Sequence, residues 1–205
     1  CDRTTNFSGL NVFDAPSPEG DGVDMIIITS GPDDSGPDLT EAFQNLANYR
    51  TSQGIITVIR TVGWIEETYS GCDIQEKIRN FIQDAHENWG VQAVILGGDD
   101  WIIPVRYYGT DGLESYYSAD DYYADIDGDW TYSSGSWSLP EDATAYVDIL
   151  VGRLPVDNSD DVELITDKII TYETEVDNSS GFCRSLVLMG SSEVLPAVIS
   201  GFIGL

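Results

Sequence analysis

Short apolar runs of strand length alternate along this chain with segments of helical period, and that alternation points to an α/β fold. Asp24-Met-Ile-Ile-Ile-Thr-Ser30 is continuous apolar sequence, the pattern of a strand covered on both faces. Asp38-Leu-Thr-Glu41 reads as a capping box opening a helix through Phe43, Leu46, Ala47 and Arg50, which Gly54 ends. Ile55 to Val62 is a second strand, and Gly63 to Gly71 a loop. Asp73-Ile-Gln-Glu76 is a second capping box. Its helix carries Ile74, Ile78, Phe81, Ile82, Ala85 and Trp89 on one face and stops at Gly90. Val91 to Leu96 is a third strand and Val147 to Val151 a fourth. Asn158 or Ser159 caps a third helix through Val162, Ile165, Ile169, Ile170 and Tyr172, and Ser185 to Gly190 is a fifth strand. The order implies a mostly parallel sheet with right-handed crossovers and helices on both faces.

Domain boundaries follow from composition. Residues 1–23 are a polar lead-in with Pro16, Pro18 and Gly20, residues 24–193 form the α/β domain, and residues 194–205 are a divergent tail. Between the third and fourth strands lies an acidic insertion, residues 97–146, rich in Gly, Ser, Tyr and Asp. An excursion of that kind leaves from the carboxyl end of a strand, where α/β folds build their sites.

Charge restricts the partners. With 36 acidic against 9 basic residues the net charge is -27, which repels nucleic acid and anionic membrane. It suits a medium where cations neutralise the surface, although an acidic face is commonly just a solvated one. No apolar run approaches the ~20 residues that cross a bilayer. Cys1 suits either a lipid-modified terminus or a fragment boundary. Cys1, Cys72 and Cys183 are an odd set without metal-ligand spacing, so neither a zinc site nor a disulfide framework is implied. Asn6-Phe-Ser8 and Asn178-Ser-Ser180 are glycosylation sequons, a triplet that also arises by chance.

Few residues offer catalytic chemistry. His86, the one histidine, shares its helix with Arg79 and Gln83 opposite the apolar face and is expected to point to solvent. Cys72 precedes a helix N-cap, where the dipole lowers a thiol pKa. No second histidine is present to make a Cys–His pair, and no GxSxG nucleophile motif occurs. Leu96-Gly-Gly-Asp-Asp100 follows a strand but lacks the spacing and the lysine of a phosphate loop. Asp125-Ile-Asp-Gly-Asp129 places three carboxylates at alternate positions around a glycine, as a hard cation such as calcium requires. It departs from an EF-hand, with Trp130 in place of the glycine and Ser136 in place of the bidentate Glu. Asp120 or Asp121 are candidate additional ligands, and an Asp-Gly turn between strands is the plain alternative.

Six segments in order resemble the gingipain family of cysteine peptidases, family C25, with a caspase-like fold. They are Ala42 to Gly54, Lys77-Ile-Arg-Asn-Phe-Ile82, Trp89-Gly90, Val94-Ile-Leu-Gly-Gly-Asp99, Tyr122 to Trp130, and Val151-Gly-Arg-Leu-Pro-Val156. The resemblance implies an α/β/α sandwich, a secreted or surface location, calcium stabilisation and a polypeptide substrate. It also implies a His-Gly motif and a cysteine nucleophile after later strands, with Glu193 similar to the carboxylate that orients the histidine. Cys72, Cys183 and His86 do not match those motifs. The expectation is the N-terminal part of a secreted cysteine endopeptidase, inactive alone, its dyad on a C-terminal continuation. The alternative is a non-catalytic caspase-like surface module that self-associates or binds partners, ordered by calcium.

Overall fold

Met25-Ile-Ile-Ile-Thr29 forms β1, the strand around which a parallel sheet is laid out; the structure is a computed structural model and describes residues 22–109, 116–133, 136–138 and 147–175. Ile26, Ile27 and Ile28 are fully buried, as a continuous apolar run covered on both faces requires. The chain then forms α1 (Thr40–Ser52), β2 (Thr57–Thr61), α2 (Val62–Thr68), α3 (Ile74–Trp89) and β3 (Ala93–Gly97). Next come β4 (Arg106–Gly109), β5 (Tyr116–Ala119), α4 (Asp121–Ala124), β6 (Thr131–Ser133) and β7 (Ser136–Ser138), then β8 (Leu150–Leu154) and α5 (Ser159–Glu175). The main sheet runs β2-β1-β3-β8, all parallel, with Met25 opposite both Thr57 and Ala93, and Ala93 opposite Leu150. The first crossover leads from β1 outward to β2 and the second returns past β1 to β3. Right-handed connections therefore put α1 and α3 on opposite faces. The α/β class expected from the sequence is borne out.

The helices bury the stripes their periods marked. Phe43, Leu46 and Ala47 of α1, and Ile78, Phe81, Ile82 and Ala85 of α3, are buried; Ile74 and Trp89 pack at the margin. Asp73 caps α3 by accepting the Glu76 N–H at 2.9 Å, while the Glu76 carboxylate takes the Cys72 N–H at 2.6 Å, one residue before the partner a strict capping box uses. Gly90 ends the helix in the left-handed region at φ 83, and Gly54 stands at φ 87 just past α1. At α1 the cap differs from the expected box. The Asp38 carboxylate takes the N–H of Thr40 at 3.0 Å, and the helix starts at Thr40.

Three local readings are corrected. The loop expected at Gly63–Gly71 begins with α2, because Thr61 Oγ1 accepts the Trp64 N–H at 3.2 Å and Ile65 is fully buried. The Trp64 ring meets Phe81 edge-on at 5.6 Å, so tertiary packing overrides the glycine. The fourth strand begins at Leu150 and not at Val147, since the N–H groups of Asp148 and Ile149 are drawn to the Ala124 carbonyl at the end of α4. His86 does not point freely to solvent. It is half-buried, and its Nδ1 donates to the Val91 carbonyl at 2.7 Å beyond the helix end.

Within the acidic insertion a second sheet forms in the order β5-β4-β7-β6. Its β4/β5 and β6/β7 pairs are antiparallel, and β4 meets β7 in parallel at Tyr108 opposite Trp137. Asn158 Oδ1 caps α5 by accepting the Asp161 N–H at 3.0 Å. The chain divides after Ile170; beyond that point residues 171–175, the end of α5, are described. The lead-in up to residue 21, the Ser185–Gly190 strand, Glu193, the residues 194–205 tail, Cys1, Cys183 and both sequons lie outside the described residues. Among the described residues no helix is long and apolar enough to cross a membrane.

Candidate functional site

Because the chain leaves β1 toward β2 on one side and leaves β3 toward β8 on the other, the loops after β1 and β3 diverge at the carboxyl edge and open a crevice. That switch point is where open α/β sheets take their ligands. A cleft of about 850 Å³ lies there, bounded by Ser30–Thr40, by the β2–α2 junction, and by Trp101 and Ile102. The volume suits a small ligand or a few side chains. Its titratable rim consists of Asp33, Asp34, Asp38, Glu66 and Glu67. Trp101 stands at the lip, 55% exposed, with its Nε1 donating to Asp157 at 2.8 Å. Arg60 also lines the cleft, but only 3% of it is exposed and its guanidinium lies 5.4 Å from the ring centres of both Trp64 and Trp89. Burial lowers its pKa to about 10.

The Gly97-Gly98 pair serves packing. A Cβ on Gly97 would stand 2.6 Å from the Phe43 ring, and one on Gly98 2.5 Å from Ile102. The N–H groups of Gly98 and Asp99 go to the carbonyls of Leu154 and Val156. Backbone donors that a phosphate would use are thereby occupied.

Arg153, from the Val151-Gly-Arg-Leu-Pro segment, ties β8 to this loop. Its Nε and Nη2 donate to both oxygens of Asp120, at 2.8 and 2.7 Å, while Nη1 donates to the carbonyls of Gly98 and Ile103 at 2.9 and 2.8 Å. Asp120, a candidate metal ligand by sequence, is thus engaged in a two-pronged ion pair.

The acidic turn gathers a different set from the one its spacing suggested. Ligand atoms of Asp125, Asp127 and Asp148 lie within 4.8 Å of one another. Asp121, at the start of α4, and Asp129 are exposed and outside this group. The Asp125 carboxylate accepts from the Gly128 N–H at 2.8 Å and from Trp130 Nε1 at 3.1 Å. Asp148 Oδ2 accepts from the Ile126 N–H at 2.9 Å. Arg79 of α3 clamps the same turn, donating twice to the Asp125 carbonyl and once to that of Gly128. A carboxylate inside the apolar run Val147-Asp-Ile-Leu-Val151 was the available sign that Asp148 does something other than fill a strand.

Cys72 is exposed, and its thiol pKa is raised, not lowered. Its hydrogen bond with the Glu76 side chain is the main cause and that carboxylate's charge adds to it, outweighing any dipole effect of the α3 N-terminus. Cys72 and His86 stand at opposite ends of α3, a helix of 16 residues and therefore roughly 24 Å long.

The family model described as Peptidase family C25 matches residues 19–195. No curated protein sequence matches the chain. Among solved structures, dimeric latent PorU from Porphyromonas gingivalis is similar at 16% identity and a TM-score of 0.57, over 85% of this chain and 18% of that one. A structure described as a protease is similar at 18% identity and a TM-score of 0.50, over 78% and 29%. The Arg-specific cysteine proteinase gingipain R gives 19% identity and a TM-score of 0.49, over 78% and 30%. The chain thus spans less than a third of the length of each of these proteins.

Proposed function

The chain belongs to peptidase family C25, and from that premise we propose that it forms the N-terminal part of a secreted gingipain-like cysteine endopeptidase whose nucleophile and base are residues other than Cys72 and His86. The supporting observation is the placement of those two side chains. A thiol and an imidazole that share a proton must approach to about 3 Å, whereas Cys72 and His86 sit at opposite ends of α3 and His86 Nδ1 is committed to the Val91 carbonyl. By itself this portion is then a scaffold that turns a parallel sheet's carboxyl edge toward a polypeptide substrate, and it is inactive. In the longest natural form of the protein, Cys72→Ala and His86→Ala should leave kcat/KM on peptide substrates within about twofold of the parent, well below the loss expected for a nucleophile or base. Abolition of turnover by Cys72→Ala would refute this assignment.

A non-catalytic surface module is the second reading, supported by a cleft whose titratable lining is five carboxylates and the buried Arg60, with neither a cysteine nor a histidine among them. Absence of peptidase activity in the longest natural form would favour it.

For either reading we propose a structural divalent cation at Asp125, Asp127 and Asp148. Calcium is the best chemical match, because the donors are all hard oxygens and two of the three side chains are exposed to entering solvent. Calcium at a hundred times its Kd should add about 2.7 kcal/mol of stability. That is a rise in melting temperature of several degrees, reversed by chelation. Asp148→Asn should abolish the rise and Asp129→Asn should preserve it. The opposite outcome would return the site to the set expected from spacing alone.

A further inference from the structure

We propose that the segment from Gly31 to Leu39 is a proton-tightened strap over the switch-point cleft, latched through the Asp34 side chain onto the start of α2. Both ends of the strap are pinned: Ser30 Oγ donates to the Pro37 carbonyl, and the Leu39 N–H donates to the Ser30 carbonyl at 3.1 Å. Its body is seated through two glycines. A Cβ on Gly31 would stand 2.5 Å from Thr61 Cγ2, and one on Gly63 would stand 2.1 Å from Asp34 Oδ1. The Asp34 carboxylate therefore occupies the space a side chain at residue 63 would fill. It accepts the Gly31 N–H at 2.6 Å and the Gly63 N–H as well. At its other side the strap touches the lip, where Gly36 lies against the Trp101 ring. Strap, Trp101 and Trp64 together border the cleft.

The charges around the latch are mostly of one sign. Asp33 and Asp38 are on the strap itself, and Glu66 and Glu67 come from α2. Lys77 of α3 reaches Glu66 at 3.8 Å, Asp157 holds Trp101, and Arg60 of β2 is buried between its two indoles. Burial raises the Asp34 pKa above its ordinary 3.8, with Asp33 and Glu66 adding to the rise, and the two backbone donors offset this only in part. Were the strap to lift, Asp34 would return to water and its ordinary value. The seated strap therefore holds the proton more tightly than the lifted one, and by linkage acidification favours the seated strap while neutral pH favours release.

The full chain, isotope-labelled, tests this without any variant. The Gly31 and Gly63 amide resonances should titrate together with one midpoint above 3.8, and acrylamide quenching of tryptophan fluorescence should fall as pH drops through that midpoint. Asp34→Asn should remove both pH dependences and keep quenching at its low, acid-form level at pH 7. Gly63→Ala, which displaces the carboxylate, should raise quenching at every pH. A midpoint at or below 3.8, quenching that is flat or rises on acidification, or an Asp34→Asn protein that titrates like the parent would each overturn the proposal.

Discussion

Arg153→Ala is expected to destabilise the protein by about 3–5 kcal/mol, the range for breaking a largely buried ion pair by deleting one partner. The reason lies in what the deletion strands. Arg153, whose side chain is 13% exposed, satisfies both oxygens of Asp120 together with the carbonyls of Gly98 and Ile103, so one substitution leaves four acceptors without their donor. Asp120→Ala should cost less, because the guanidinium keeps its two carbonyl acceptors. Arg153→Lys retains the charge but cannot reproduce the planar fork, and should fall between the two. Denaturant unfolding at a constant m-value is the measurement. A loss below about 1 kcal/mol for Arg153→Ala would mean that β8 and the loop after β3 are held together by their backbone bonds alone.

The parallel core was legible because its signals are local and redundant. Ile26–Ile28 could only be a covered strand, and α3 carried its cap, its stripe and its glycine stop within 18 residues, Asp73 to Gly90. What escaped depended on contacts between distant segments. The α2 helix is nucleated by Thr61 and held by Phe81, so its own sequence, with Gly63 in the first turn, read as loop. The start of β8 moved by three residues because Ala124 takes the N–H groups of Asp148 and Ile149. That same diversion brought Asp148 to Asp125 and Asp127, which no spacing rule along 22 intervening residues could announce. Cys72 was misjudged for a related reason. The Glu76 carboxylate folds back over the helix start and raises the thiol pKa, against the direction of the α3 dipole. Family resemblance recovered the order of elements but said nothing about the strap, whose seating depends on two close approaches at Gly31 and Gly63.

Asp73→Ala should prove more damaging than Arg106→Ala, although the two share one ion pair. Arg106, 4% exposed, donates to both oxygens of Asp73, at 2.7 and 2.8 Å, and stacks 4.3 Å from the centre of the Tyr122 ring. Deleting the aspartate removes both carboxylate acceptors of a buried guanidinium and also removes the α3 cap, for about 3–5 kcal/mol from the broken pair and about 1 more from the cap. Asp73 is already 37% exposed, so when the arginine is deleted it can turn to water and still cap the helix. The same pair sets the acid limit. Its hydrogen bond to Arg106 is the main cause that holds the Asp73 pKa below 3.8, so this stabilisation is fully present above pH 3.8 and is lost as pH falls through the lower, folded value. Asp34 acts with the opposite sign: its folded pKa is raised, so stability grows as pH falls toward that value. Melting temperature should therefore rise on mild acidification, as the net charge of -27 is also relieved, and then drop steeply below about pH 3.8. Arg106→Ala should flatten the drop and leave the rise, whereas Asp34→Asn should reduce the rise and leave the drop. If Arg106→Ala kept the full acid drop, the limit would have to come from carboxylates other than Asp73. If Asp73→Ala were no worse than Arg106→Ala, the contacts of the guanidinium other than its ion pair, Tyr122 among them, would be enough to hold it.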